Sequence, residues 1–298
     1  MKIQQFTDLH LDINADCQDF KEKTNFKIDP SVDVIVITGD TFNDARKTVD
    51  WIHYVFIEKM QAHQHLFYIF GNHEFYECDM QTAYEYALSL NHTQITFLHK
   101  DMCVNHKGVW FIGDTLWTDY QFGLDKSLNK MHCNSSMSDH KYIRTAPDVP
   151  ADLEPYDTKM GLTLYKRVSN KLFHPDDAEV IHNDTLNAFH ECLKAHPDDK
   201  FVILSHHSPT SLSIHSNFYG SRINSAYCSD ILGRDTETYK NVVFWFHGHV
   251  HHSVDIEIFD TRVIANPFGY MKWYGGHLEN DFFKYYKIVS LNTDTTIL

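Results

Sequence analysis

The residues of this 298-residue chain best suited to chemistry are Asp8, His10, Asp40, Asn72, His73, His206, His207, His249 and His251. They fall into five groups, each directly behind a short apolar run at 2–7, 32–38, 66–70, 201–205 and 242–246. The groups read Asp8-Leu9-His10, Gly39-Asp40-Thr41-Phe42-Asn43, Gly71-Asn72-His73-Glu74, His206-His207 and Gly248-His249-Val250-His251. Carboxylates and imidazoles together suit Mn, Fe, Zn or Ni better than Mg or Ca. Two such ions about 3.5–4 Å apart clamp the attacking and leaving oxygens of a phosphoryl group. The expected cofactors are therefore two divalent transition-metal ions.

The apolar runs supply the elements that must hold these groups. In open α/β sheets, ligand sites gather beyond the carboxyl ends of strands. The first ninety residues read as β-α-β-α-β-α. Strands are expected at 2–7, 33–38 and 66–70, with a polar loop or frayed helix at 12–27. The run Asp-Val-Ile-Val-Ile-Thr at 33–38 is what a strand buried on both faces looks like. Val49, Ile52, Val55, Phe56 and Met60 predict a helix within 44–63, and Asp79 caps another at 79–90. Short strands at 95–98, 102–105 and 109–112 begin a second sheet. Residues 120–174 are polar and aperiodic, as expected of a lid or substrate-binding excursion. A helix over 177–196 carries Leu186, Phe189 and Leu193 on one face and stops at Pro197. Strands follow at 201–205, 242–246, 254–259, 262–265 and 282–290. The motifs span residues 8 to 251, so the chain, 1–298, reads as a single domain closed around one centre.

Composition narrows the partners. A hydrophobic content of 43% is enough for a sizeable core. The longest apolar runs are strand-length, so no membrane helix is expected. Residues 1–7 lack the apolar core of a signal peptide and read as a strand. A net charge of −14 repels nucleic-acid polymers and anionic membranes at long range. The six cysteines form no C-x-x-C pair and read as reduced thiols of a cytoplasmic protein.

Taken singly these motifs are weak, since 22 histidines make chance pairs common. Their order is distinctive. D-x-H, G-D-x-x-N, G-N-H-E, a distal His and G-H-x-H together resemble the calcineurin-like metallophosphoesterase superfamily. The segments at 113–120, 137–144 and 224–230, with Gly269-Tyr270, resemble a bacterial and phage branch of it. That branch often carries Arg where this chain has Phe268, which leaves the substrate class open. The resemblance implies a four-layer α/β sandwich of two mixed sheets flanked by helices. It also implies Asp40 as the bridge between two metals. Asp8, His10 and His251 would complete one metal site, and Asn72, His206 and His249 the other. Two divalent ions, two carboxylates and a bridging hydroxide leave one net positive charge to attract phosphate. Metal binding brings the pKa of water to roughly 7, and the resulting metal-bound hydroxide attacks phosphorus in line. His73 is the candidate acid for the leaving group, since imidazole is the side chain suited to proton transfer near neutrality.

Several residues have two readings. His206 is the expected ligand, with His207 as its alternative. Glu74 and Asn43 orient His73 or Asn72, or are merely solvated. Arg144 and Arg222 grip phosphate, or pair with acids on the surface. Trp117, Tyr120, Tyr227 and Tyr270 line a pocket, or fill the core. The expected activity is hydrolysis of a small phosphodiester or phosphomonoester. The alternatives are a DNA or RNA nuclease, a non-catalytic phospho-ligand binding module, and a histidine-rich metal buffer.

Overall fold

The computed structural model describes residues 1–16, 26–123, 125–145, 154–157, 163–166, 172–271 and 278–291. Two mixed β-sheets lie face to face, with helices outside each. The first sheet runs β13-β1-β2-β3-β4, where β1 is Lys2–Phe6, β2 Val34–Ile37, β3 His65–Tyr68, β4 Ile95–Phe97 and β13 Ile288–Ser290. Strands β1 to β4 are parallel and β13 is antiparallel. The second sheet runs β11-β12-β10-β9-β6-β5. Its strands are β5 Val104–His106, β6 Val109–Asp114, β9 Lys200–Ser205, β10 Val242–Phe246, β11 Val254–Ile258 and β12 Thr261–Ala265. The four central strands are parallel and the two edge strands antiparallel.

Side-chain alternation along each strand builds the layers. On β2, Val34 and Val36 face the other sheet and join Val202, Leu204, Phe244 and Phe246 in one core. Ile35 and Ile37 face the opposite way and join the helical layer. That layer includes α1, Ala45–Trp51, and α2, Met80–Ser89. Asp79 caps α2 by accepting from the Thr82 N–H at 3.0 Å. On the far side, α5 (Pro175–Ala195) buries Ala178, His182, Thr185, Phe189 and Leu193, a stripe with helical period. Phe189 and Leu193 meet Ile203, Trp245 and Val263 of the second sheet.

Some sequence expectations need correction. The helix expected over 44–63 stays α-helical only to Trp51, then continues as a π-turn at Ile52–Phe56 and a 3-10 turn at Ile57–Lys59. Within 120–174, α3 spans Lys126–Ser136 and α4 spans Asp139–Tyr142, while β7 (Glu154–Asp157) and β8 (Thr163–Lys166) pair as a hairpin. Helix α3 has little apolar pattern because it buries only Asn129 and Cys133. Over 282–290 only Ile288–Ser290 is strand. Upstream, Asn266 replaces ladder bonds with two of its own, to the Lys284 carbonyl at 2.9 Å and the Lys284 N–H at 3.0 Å. Cys103 and Cys192 are joined as a disulfide, with Cα atoms 6.4 Å apart, so the reading of reduced thiols does not hold for this pair. Cys78, Cys133 and Cys228 are buried thiols, and Cys17 lies outside the described residues. No described helix is long and apolar enough to cross a membrane.

Candidate metal centre

Five loops leave the carboxyl ends of β1, β2, β3, β9 and β10 and meet at one point. They are bonded to one another before any side chain is considered. The Asp8 N–H donates to the Gly39 carbonyl at 3.0 Å, the His10 N–H to the Asp40 carbonyl at 3.0 Å, and the Gly248 N–H to the His206 carbonyl at 3.0 Å. Turning the side chains inward requires unusual backbone. Asp8, His10, Asp40, His249 and His251 all have left-handed φ, at 53°, 43°, 57°, 67° and 43°. Such conformations cost roughly 1–3 kcal/mol each for residues other than glycine and collect at functional sites. Gly71 sits where a Cβ would collide with the Asp40 carboxylate, and Gly248 where one would collide with that of Asp8. The glycines of these motifs therefore leave room for the carboxylates.

The donor atoms form two sets, each within 4.8 Å: Asp8, His10, Asp40 and His251, and then Asp40, His206 and His249. Asp40 belongs to both. Its Oδ2 lies 3.2 Å from His206 Nε2, 3.8 Å from His10 Nε2 and 4.0 Å from His73 Nε2. Asn72 Oδ1 lies 2.9 Å from His206 Nε2, which adds it to the second set. The histidines are oriented by their other nitrogens. His206 Nδ1 bonds the Thr38 carbonyl at 2.7 Å, and His251 Nδ1 bonds Glu279 at 2.7 Å. His207 Nδ1 is 3.1 Å from the Thr115 carbonyl, and its ring packs 4.5 Å from that of His249.

These residues fit a metal pair on two further grounds. The His249 Nε2 is buried with no hydrogen-bond partner among the described residues, as an imidazole kept for a ligand would be. The donor set, carboxylate and amide oxygen with imidazole nitrogen, is that of transition metals. The carboxylates and the burial of the cluster divide its histidines. Burial works against charging His206, but Asp40 prevails and pushes it up to about 9. Burial likewise opposes charge on His251, yet hydrogen bonds to Asp8 and Glu279 push it up to about 10. His10 and His249 are held well below the ordinary value, first by burial and then by neighbouring histidines.

A sequence profile of calcineurin-like phosphoesterases matches residues 1–253. The chain belongs to the calcineurin-like phosphoesterase family. None of the curated proteins compared with it matches. Among solved structures, phosphopantetheinyl hydrolase from Mycobacterium tuberculosis is similar at 14% identity and a TM-score of 0.58, over 90% of this chain and 89% of that one. GAP50, the anchor in the inner membrane complex of Plasmodium, aligns at 13% identity and a TM-score of 0.43, over 90% of this chain and 71% of that one. The likeness to the hydrolase, at that identity, shows a shared fold. The family makes the chain a phosphoesterase.

The site of this phosphoesterase opens into a cavity of about 780 Å³ whose walls include Asp40, Asn72, His73, His249 and His251. Tyr227 and Tyr270 are also in the wall. Tyr227 stacks on the His249 ring at 4.4 Å, and Tyr270 lies 4.5 Å from the His10 ring. The other two aromatics of the sequence reading, Trp117 and Tyr120, are buried in the core. Neither Arg144 nor Arg222 lines this cavity. Arg222 is exposed beside an adjoining depression of about 470 Å³, and the Arg144 carbonyl accepts from the Met80 N–H at 3.1 Å. No lysine or arginine is among the described lining residues. Phe268 is fully buried against Phe26 and Phe283.

His73 Nδ1 meets Asn43 Oδ1 at 2.7 Å, so Asn43 orients this histidine. Three supporting residues escaped the sequence reading or were left open by it. Glu74 is fully buried and accepts from the N–H groups of Gly71, Asp40 and Thr41 at 2.8, 2.9 and 2.7 Å. It thereby ties the loops after β2 and β3 together. Asp139 accepts from the Asn72 amide at 2.8 Å, and Glu279 holds His251. Asp139 stands in the segment 137–144 of the family resemblance, the one signal for it. Glu279 had none.

Proposed function

We propose that this phosphoesterase hydrolyses small phosphate mono- or diesters at a dinuclear centre bridged by Asp40. The observation that carries the reading is the membership of Asp40 in both donor sets. Asp8, His10 and His251 would hold one ion, and Asn72, His206 and His249 the other. When bound, a pair of Mn, Fe, Zn or Ni ions would supply Lewis-acid stabilisation of the phosphoryl oxygens and a nucleophile drawn from water.

The protein's own residues do the rest. Asn72 offers a neutral oxygen and so leaves the positive charge of the site available to an anionic phosphate. Asn43 Oδ1 can only accept, so His73 Nδ1 carries a proton and Nε2 is the nitrogen turned to the cavity. Protonated at Nε2, His73 gives its proton to the departing alkoxide as general acid. Tyr227 and Tyr270 flank the opening and limit water around the reacting group.

The cavity wall and the net charge of −14 favour a small substrate over a nucleic-acid polymer. A screen of phosphate monoesters and diesters with Mn, Ni and Zn in turn tests the reading. Hydrolysis is expected with the wild-type protein and abolished by Asp40→Ala. Activity retained by the variant would place the chemistry elsewhere. Degradation of plasmid or single strands at physiological salt would identify a nuclease instead.

A further inference from the structure

We infer that Phe218 and Phe282 form a subsite for a flat, uncharged aromatic leaving group. The inference rests on the proposed phosphoryl site at Asp40 and adds what lies beyond the phosphate. Both rings line the same cavity as Asp40 and His73. Both are nonetheless well exposed, Phe218 at 59% and Phe282 at 75%.

Among the described residues, neither ring is packed into the interior of the fold. Neither belongs to the hydrophobic clusters that build the layers. The neighbour Phe283 shows the contrast: its ring packs on Phe268 at 5.2 Å and on Tyr285 at 5.0 Å. The backbone under each exposed ring is fixed. Asn224 Nδ2 donates to the Phe218 carbonyl at 2.8 Å. Ser253 Oγ donates to the Phe282 carbonyl at 3.2 Å, and Asn280 Oδ1 accepts from the Phe282 N–H at 3.2 Å. Two anchored segments thus present apolar rings to a cavity whose floor is polar. Exposed aromatic surface gathered at a pocket mouth marks a contact for a ligand.

The rings also restrict what that ligand is. Aromatic side chains favour offset-stacked or edge-to-face contact with another ring, beyond the area they bury. A second phosphate on the leaving group would find no lysine or arginine among the described lining residues, and Glu279 and Asp281 stand in the same wall. An anion there would face these two carboxylates, with only histidine, amide and hydroxyl donors among the described lining residues to offset them. The fitting substrate is therefore an ester with one phosphoryl group, whose leaving group carries an aromatic or heteroaromatic ring and no further negative charge.

Binding of unreactive phosphonates tests this without relying on turnover. Methylphosphonate, benzylphosphonate and p-xylylenediphosphonate are titrated calorimetrically into Mn-loaded wild-type protein and the Phe218→Ala/Phe282→Ala variant. Wild type is expected to bind benzylphosphonate about tenfold tighter than methylphosphonate, and the variant to lose that preference. Methylphosphonate binding is expected to be equal in the two proteins, which also shows that the variant is folded. Equal affinity of wild type for the methyl and benzyl compounds, or a preference that survives in the variant, overturns the subsite alone. Tighter binding of the diphosphonate overturns the uncharged leaving group. Failure of every phosphonate to bind in a Mn-dependent way removes the phosphoryl site itself, and the subsite with it.

Discussion

The Asn72 side chain gives its amide N–H to Asp139 at 2.8 Å, and that bond decides which end of the amide faces the metal centre. Asp139 is 3% exposed and also accepts from the Tyr76 hydroxyl at 2.8 Å. A carboxylate can only accept, so Asn72 Oδ1 is left pointing at His206. The helix α4 that carries Asp139 belongs to the excursion whose residues Ser136, Met137 and Ser138 line the cavity. One wall of the cavity is thereby tied to Asn72, a proposed metal ligand. Asp139→Ala is expected to weaken one of two Mn ions by roughly 10–100-fold and leave the other unchanged. Asp139→Asn keeps an acceptor oxygen and is expected to recover most of the loss. Equal binding of both ions by Asp139→Ala would contradict this role.

The raised pKa values set a pH dependence. In the metal-free protein His206 and His251 are pushed up to about 9 and about 10, from an ordinary 6.5. Folded values above unfolded ones stabilise the protein fully below about pH 6.5, and that contribution is lost as pH rises through 9 to 10. Metal must displace the same protons, so its affinity is expected to rise with pH over this interval. Calorimetry in buffers of different ionisation enthalpy is expected to show about two protons released on filling the site. Affinity independent of pH would count against the two imidazoliums.

His73 is expected to matter in proportion to the leaving group's need for a proton. His73→Ala should lower kcat on alkyl phosphates by roughly 10²–10⁴-fold while sparing p-nitrophenyl esters. Asn43→Ala, which releases the ring at Nδ1, should reproduce the pattern more weakly. An equal loss on both substrate types would remove His73 as the acid.

Glu74 is a structural member of the site. Removing it leaves three buried N–H groups without their acceptor, each costing roughly 1–3 kcal/mol. Glu74→Ala is expected to lose about 3 kcal/mol or more of stability, read from denaturant unfolding. A change below about 1 kcal/mol would mean that the loops hold together without it.

The sequence made the strand ends legible because each buried apolar run stops abruptly at small or chelating residues. Asp8, Asp40, Asn72, His206, His249 and His251 could be read there without knowing how the strands are ordered. The supporting residues were not legible in the same way. Asp139 acts on a residue 67 positions away, and Glu279 on one 28 positions away, with no spacing to betray either. Glu74 reads equally as a residue orienting His73 or Asn72 and as a solvated acid, and only the converging loops show it buried. The Cys103–Cys192 pair joins residues 89 apart and depends on how α5 lies over the second sheet. Helix α3 hid because it buries a polar residue and a thiol instead of an apolar stripe.

The proposed sharing of Asp40 by two ions can be tested directly by counting Mn per chain and recording the electron paramagnetic resonance spectrum. Two ions per wild-type chain with an exchange-coupled signal are expected, and Asp40→Ala should lose both the coupling and tight binding. One ion per chain, or two that give uncoupled spectra in the wild type, would contradict a centre built on that carboxylate.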